Sequence, residues 1–337
     1  MGGVILAGDV GGTKTLLGLF TRVRGRLRAV VERSFPSQES PSLEAMVRTF
    51  LTPRGSPVHA SAFGIAGPVV LGKSDRVNLP WRVWDRRLGR VLGLDHVRVI
   101  NDLEATAWGV GELSPRKTAS LTPGVRPSPG NAALIAAGTG LGMAILVWDG
   151  ERHRPSASEG GHQGFAPRDG QQAELLEYLR ERHGRVSIER VVSGPGISAI
   201  YRFLLASGKG VESDAMKRRL EDGDSNAAVT DAAMSGEDGV AGRALDLFVS
   251  IYGAAAGDLA LLARATAGVY VGGGIAPRIL QRLRSGAFIR SFRDKGRLAP
   301  FLERIPVRVI LEPKTALIGA AACAARAPRS RRKPHER

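Results

Sequence analysis

Asp9-Val10-Gly11-Gly12-Thr13-Lys14 follows the apolar run Val4-Ile5-Leu6-Ala7 and precedes a second one, Leu16-Leu17-Gly18-Leu19-Phe20. About 130 residues later the same plan recurs, with Gly138-Thr139-Gly140-Leu141-Gly142 set between Ala132-Ala133-Leu134-Ile135-Ala136-Ala137 and Met143-Ala144-Ile145-Leu146-Val147-Trp148. Glycines in such a turn let backbone N–H groups close on a phosphate without Cβ atoms in the way. Two strand–glycine turn–strand units in one chain predict two lobes, each offering a turn to the phosphate tail of a nucleotide. The class this suggests is a phosphotransferase with its site between the lobes.

Outward from these turns the chain alternates strands and helices. Val4–Ala7, Thr15–Phe20 and Leu27–Ser34 read as three antiparallel strands, with Arg24-Gly25 as a turn. Apolar residues at 43, 46, 47, 50 and 51 lie on one helical face, and Ser42 stands where an N-cap belongs. Ala60–Ala66 and Val97–Ile100 read as buried strands, and 103–111 as a helix. After the Pro/Gly-rich linker 122–131, residues 171–267 are mostly helical; Val269–Val271 and Val307–Ile310 are strands, and 314–325 a closing helix. The fold class is α/β with mixed sheets. Residues 1–112 form a small lobe completed by the helix 314–325, residues 113–313 form a large lobe, and 326–337 is a disordered basic tail.

The chain has 337 residues, 43% of them hydrophobic, enough for two domains with sizeable cores. No apolar run approaches the roughly 18 residues of a membrane span, and no signal peptide opens the chain. With the single cysteine Cys323, this leads to the expectation of a cytoplasmic protein without disulfides. The net charge of +16 raises nucleic-acid binding. Only eight of the 48 basic residues are lysine, the arginines are spread along the chain, and +5 of the excess sits in Arg326–Arg337. Background composition and a solvated tail therefore account for the charge, and neither nucleic acid nor membrane is the expected partner.

Several side chains carry chemistry. Asp102, with Asn101 beside it, stands just past a buried strand, where open α/β sheets place their ligands; the same dipeptide also suits a helix cap. In Glu159-Gly160-Gly161-His162 an acid and an imidazole flank two glycines, equipment for the hydroxyls of a sugar and an incomplete set for a transition metal. Glu189, before Ser193-Gly194-Pro195-Gly196, is a further carboxylate. Asp9 would repel a bare phosphate and suits a Mg²⁺-mediated contact. Gly8–Thr15 falls short of the P-loop pattern, because Thr13 occupies the second glycine position. Gly138–Gly142 is not a dinucleotide fingerprint either. Gly272-Gly273-Gly274-Ile275-Ala276-Pro277 reads equally as a tight turn or as a surface for an adenine.

Taken in order, eight segments resemble the bacterial glucokinase family, within the actin/hexokinase-like ATPase superfamily. They are Asp9–Thr13, Gly64–Val69, Asn78–Trp81, Ile100–Ala105, Gly138–Gly142, Glu159–His162, Glu189–Gly196 and Gly273–Arg278, together covering about residues 4–325. The resemblance implies two RNase H-like lobes with a cleft that closes over the sugar, and a homodimer. It implies transfer of phosphate from ATP to the 6-hydroxyl of D-glucose, the first step of glycolysis. Asn101, Asp102, Glu159, His162 and Glu189 match the sugar-binding positions and Asp102 the catalytic base. The turns containing Asp9, Gly11, Gly12, Thr13 and Gly138, Thr139, Gly140 match the phosphate segments, with Mg²⁺ near Asp9, and Gly273 and Gly274 match the adenosine segment. Lys14 departs from the family's common asparagine and is more reminiscent of the related ROK sugar kinases, whose cysteine-rich zinc motif one cysteine cannot supply. The alternatives are another sugar or a polyphosphate donor on the same fold, or a non-catalytic sugar-responsive regulator.

Overall fold

β1 (Val4–Val10), β2 (Lys14–Val23) and β3 (Arg26–Pro36) form the antiparallel meander, and α1 (Leu43–Leu51) follows with the Ser42 side chain accepting from Ala45 N–H. The computed structural model describes residues 4–52, 58–74, 79–94, 96–222 and 225–326. Asn78 of the Asn78–Trp81 segment and the basic tail from residue 327 onward lie outside the described residues. The chain divides into two units, one within Met1–Ser114 and Glu312–Arg337, the other within Pro115–Leu311.

In the first unit come β4 (Val58–Ile65), the short strands β5 (Val69–Val70), β6 (Lys73–Ser74) and β7 (Val83–Trp84), then α2 (Asp85–Leu92), β8 (Val97–Asn101) and α3 (Asp102–Val110). The main sheet has the order β3-β2-β1-β4-β8, with β1 antiparallel to β2 and β4 parallel to both β1 and β8. The unbroken apolar run of β1 has a cause. Its period-two alternation sends Leu6 and Val10 into a core with Leu43, Met46, Val47 and Phe50 of α1. Ile5 and Ala7 face a second core on the opposite side of the sheet. That core is built with α13 (Thr315–Ala324), the last helix of the chain. A Cβ on Gly319 would lie 1.7 Å from Ala105 O, and one on Gly109 2.2 Å from Thr315 O, so two glycines let α13 and α3 pack backbone to backbone.

The second unit holds β9 (Thr118–Ser120), β10 (Ala132–Ala137), β11 (Leu141–Trp148) and β12 (His153–Ser158). The helices α4 (Gly170–His183), α5 (Gly194–Ala206), α6 (Asp214–Asp222), α7 (Ser225–Ser235) and α8 (Gly239–Ala263) follow. Then come β13 (Gly268–Gly272), α9 (Ile275–Arg278), α10 (Leu280–Arg284), α11 (Ala287–Arg293), α12 (Ala299–Glu303) and β14 (Val307–Ile310). Its sheet runs β12-β11-β10-β13-β14-β9. Strands β10 and β11 are antiparallel, and β10, β13 and β14 parallel. The first five strands thus repeat the order and directions of the first unit's sheet, as the recurring glycine turns led one to expect.

Two sequence readings need correction. β1 continues through Val10, so Asp9 lies inside the strand rather than after it, paired with Leu16 and Gly64. An apolar segment of membrane-spanning length does exist: α8 is long and apolar enough by length and composition. Its residues are spent on the core instead. Tyr252, Ala256 and Phe248 are fully buried, and Gly253 and Gly257 bring α8 against the carbonyls of Phe288 and Phe292 in α11.

Candidate active site

In the first unit the turn after β1 is held by the end of β3. The Ser37 hydroxyl donates to Gly11 O at 2.7 Å, Gln38 Nε2 donates to Gly12 O, and Ser37 N–H donates to Thr13 O at 2.9 Å. Thr15 and Ser37, both fully buried, share a hydroxyl–hydroxyl bond of 2.8 Å. A planar trans peptide sets each N–H opposite the preceding carbonyl. With three successive carbonyls drawn toward Ser37 and Gln38, the N–H groups of Gly12, Thr13 and Lys14 point the other way. This is the donor array a phosphate needs. Ser37 and Gln38 were not singled out in the sequence; the only available signal was the β2–β3 pairing, which puts Pro36 opposite Lys14.

Beside that turn lie the carboxylates of Asp9 and Asp102. Gly64 pairs with Asp9 across β1 and β4, and a Cβ on Gly64 would meet Ala105 Cβ at 2.7 Å and Asp102 Cα at 3.7 Å. The missing side chain therefore lets the start of α3 sit against the strand that neighbours Asp9. Burial first, and the charge of Asp102 second, push the Asp9 carboxyl from 3.8 up to about 6. Asn101 is indeed the N-cap of α3: its Oδ1 accepts from Leu103 N–H at 2.9 Å and Glu104 N–H at 3.3 Å, while Nδ2 donates to Gly67 O at 2.9 Å. Asp102 Oδ1 also accepts from Leu103 N–H at 2.9 Å. Capping and ligand reading are compatible, since one amide hydrogen of Asn101 stays outside these bonds.

The second unit gathers Glu159, His162 and Glu189. A 3₁₀ turn over Gly160–His162, closed by His162 N–H to Glu159 O at 3.0 Å, puts positions three apart on one side. His162 Nε2 lies 3.9 Å from Glu159 Oε2, and His162 Nδ1 lies 3.9 Å from Glu189 Oε1. These gaps are too long for direct hydrogen bonds, yet a hydroxyl oxygen can sit about 2.8 Å from both atoms of each pair. The glycines fix the turn: a Cβ on Gly161 would stand 2.0 Å from Leu141 O, and one on Gly160 2.9 Å from Met143 Sδ. Residues 185–188 are stitched to 162–164 through Arg185 Nη2 to His162 O at 2.7 Å and Ile188 N–H to Gln163 O at 2.8 Å, which delivers Glu189 to the imidazole.

Glu189 reaches further. Its Oε2 accepts from Leu141 N–H at 2.9 Å, and a Cβ on Gly140 would lie 2.6 Å from that oxygen. The glycine turn is closed by Gly138 N–H to Gly140 O at 2.8 Å and tied to the start of α5 by Gly194 N–H to Gly138 O at 2.8 Å, leaving Thr139 exposed at its tip. Gly273 follows β13 with φ +83°, and its Cβ would be 2.1 Å from Ala137 O, so only glycine fits. Gly273 and exposed Gly274 therefore lie at the carboxyl end of the same sheet as the 138–142 turn.

Among the described residues no group of three or more His, Cys, Asp or Glu side chains could hold a metal ion. Asp9 and Asp102 still fit Mg²⁺, which takes one or two carboxylates and fills its shell with phosphate oxygens and water. A hard divalent cation relieves both the burial penalty and the repulsion that lift Asp9.

A family profile described as Glucokinase matches residues 6–327. The glucokinase of Trichormus variabilis is 40% identical over 96% of this chain and 99% of its own length. That of Caulobacter vibrioides is 35% identical over 95% of each chain. Among solved structures, a glucokinase from an Antarctic psychrotroph superposes with a TM-score of 0.85 at 31% identity, covering 95% of this chain and 98% of that one. A ROK family glucokinase from Streptomyces griseus, solved with glucose and AMPPNP, shares the fold with a TM-score of 0.61 at 23% identity, covering 96% and 99%. Profile, relatives and fold agree over nearly the whole length, and the chain belongs to the glucokinase family.

Proposed function

We propose that this chain transfers the γ-phosphate of ATP to the 6-hydroxyl of D-glucose, giving glucose 6-phosphate and ADP. The observation that carries the reading is the second unit's cluster: two carboxylates and an imidazole spaced to share hydroxyl groups, one of them bonded to the glycine turn offered to phosphate. Membership of the glucokinase family supports the same reaction.

Glu159, His162 and Glu189 hold sugar hydroxyls, with the remaining amide hydrogen of Asn101 as a further donor. Many directional bonds reject a sugar lacking one hydroxyl, because a carboxylate is then left unpaired. Held in this way, the 6-hydroxyl attacks the γ-phosphorus, its proton passes to the carboxylate of Asp102, and the β–γ bridging oxygen leaves with ADP. The N–H groups of Gly12, Thr13 and Lys14 and those of Thr139 and Gly140 stabilise the spread charge on the phosphoryl oxygens. Gly273 and Gly274 give the adenosine a surface free of side chains. Mg²⁺, held beside Asp9 through water, would neutralise phosphate charge when bound. Desolvated Asp9 needs that cation to carry its own charge at low cost.

A homodimer working in the cytoplasm at the head of glycolysis completes the proposal, supported by the resemblance. The test is ADP release from ATP·Mg²⁺ with a panel of hexoses, with Asp102→Asn as control and light scattering for the dimer. ADP release that ignores glucose would remove the reading.

A further inference from the structure

Tyr252 is wholly enclosed in the second unit, and no step above uses it. Its ring is packed between Phe248, tilted against it with centroids 5.6 Å apart, and Phe288, edge-on at 5.5 Å. A phenylalanine would fill that space equally well and would avoid burying a hydroxyl, whose desolvation is unfavourable unless its bonds are good. The hydroxyl is pushed above its ordinary pKa by burial and so stays protonated, able both to accept and to donate.

Its partners lie at two places that matter for the nucleotide. Ala137 N–H donates to the Tyr252 oxygen at 3.2 Å, and the hydroxyl donates to either of two carbonyls, Ile135 O at 3.3 Å or Gly272 O at 3.5 Å. Ala137 is the last residue of β10 and immediately precedes the 138–142 turn; Gly272 is the last residue of β13 and immediately precedes Gly273 and Gly274. The carbonyl of Ala137 is also the atom that leaves no room for a Cβ on Gly273, at 2.1 Å. One hydroxyl thus sits between the two strand ends from which the turns depart, accepting from Ala137 N–H and lying 3.5 Å from Gly272 O.

We infer that Tyr252 is a positioning residue for nucleotide binding, fixing through its hydroxyl the spacing between the phosphate turn at 138–142 and the adenosine turn at 273–274. It touches no substrate; it acts through Ala137 and Gly272. Without the oxygen, Ala137 N–H loses this acceptor, the hold on the end of β10 weakens, and the two turns lose their common reference. The sugar cluster of Glu159, His162 and Glu189 has anchors outside that turn, Arg185 to His162 O and Ile188 N–H to Gln163 O, and stays in place.

The inference rests on the proposed nucleotide site, and calorimetric titration of ADP·Mg²⁺ and of glucose into the full chain separates the two. Tyr252→Phe keeps the ring and its stacking. The expected result is a nucleotide affinity about 3- to 10-fold weaker, glucose affinity within about twofold of wild type, and a KM for ATP that rises more than kcat falls. Phe248→Leu thins the same aromatic stack and keeps the hydroxyl; it should lower Tm and leave nucleotide affinity unchanged. Wild-type nucleotide affinity in Tyr252→Phe, or an equal loss in Phe248→Leu, overturns the inference while leaving the nucleotide site standing. Absence of ADP binding by the wild type overturns the site itself, and this inference with it.

Discussion

Glu189 Oε2 accepts the N–H of Leu141 at 2.9 Å while Oε1 faces His162 Nδ1 at 3.9 Å, so a single carboxylate ties the 138–142 turn to the Glu159–His162 turn. Glutamine in its place keeps an oxygen for Leu141; alanine keeps neither contact. Glu189→Gln should raise KM for glucose about 10- to 100-fold with a small change in KM for ATP, whereas Glu189→Ala should raise both. Steady-state kinetics with each substrate varied will show it, and equal KM values for ATP in the two variants would remove Glu189 from the turn.

Asp102 is expected to act in the chemical step. Asp102→Asn preserves the size of the side chain and the acceptor oxygen for Leu103 N–H, so the fold and glucose affinity should persist while kcat falls about 10²- to 10⁴-fold. A variant that keeps more than a tenth of wild-type kcat, with glucose binding measured separately, takes the base role away from Asp102.

Asp9 has a pH signature. Its folded pKa of about 6 exceeds the ordinary 3.8, so between these values the native state holds a proton that the unfolded chain has released. Stability without ligands therefore falls as pH rises from about 4 to 6, by at most about 3 kcal/mol and by less where water reaches the group. Asp9→Asn should flatten that slope and raise Tm at pH 7.5 while abolishing phosphate transfer. Thermal unfolding from pH 4 to 8 measures this; a slope equal to that of the wild type would mean another group is responsible.

Gly273→Ala should be poorly tolerated. A φ of +83° costs an L residue on the order of 1–2 kcal/mol, and the 2.1 Å approach to Ala137 O adds strain. Tm should drop and ADP affinity with it, whereas Gly274→Ala, with nothing within 4 Å of its Cβ position, should keep the fold. Similar Tm values for the two would argue that the 273 turn is pliable.

Local features were legible in the sequence. Glycine turns between apolar runs, the Ser42 cap, and the Asn101–Asp102 step from strand to helix each depend on neighbours within a few residues. Glu159 and His162 were legible as a pair because a three-residue turn joins them. What stayed hidden depends on distant partners: Ser37 and Gln38 clamp a turn 26 residues back, Glu189 meets Leu141 across 48, and Tyr252 meets Ala137 across 115. No periodicity encodes such contacts. The reading of Asp9 as lying beyond its strand failed for a related reason, since pairing with Gly64 extends β1 past the apolar run.

The helix that covers one face of β1 is the last of the described helices to be synthesised, and the glycine contacts between α13 and α3 leave no slack for a substitute. On the ribosome the N-terminal sheet therefore emerges first and must wait, with Ile5 and Ala7 uncovered, while the whole of Pro115–Leu311 is translated, on the order of tens of seconds. The second unit, continuous in the chain, is able to finish before the first. Chaperone capture of nascent chains should thus be strongest for the opening third of the polypeptide and should end only when residues near 325 clear the exit tunnel.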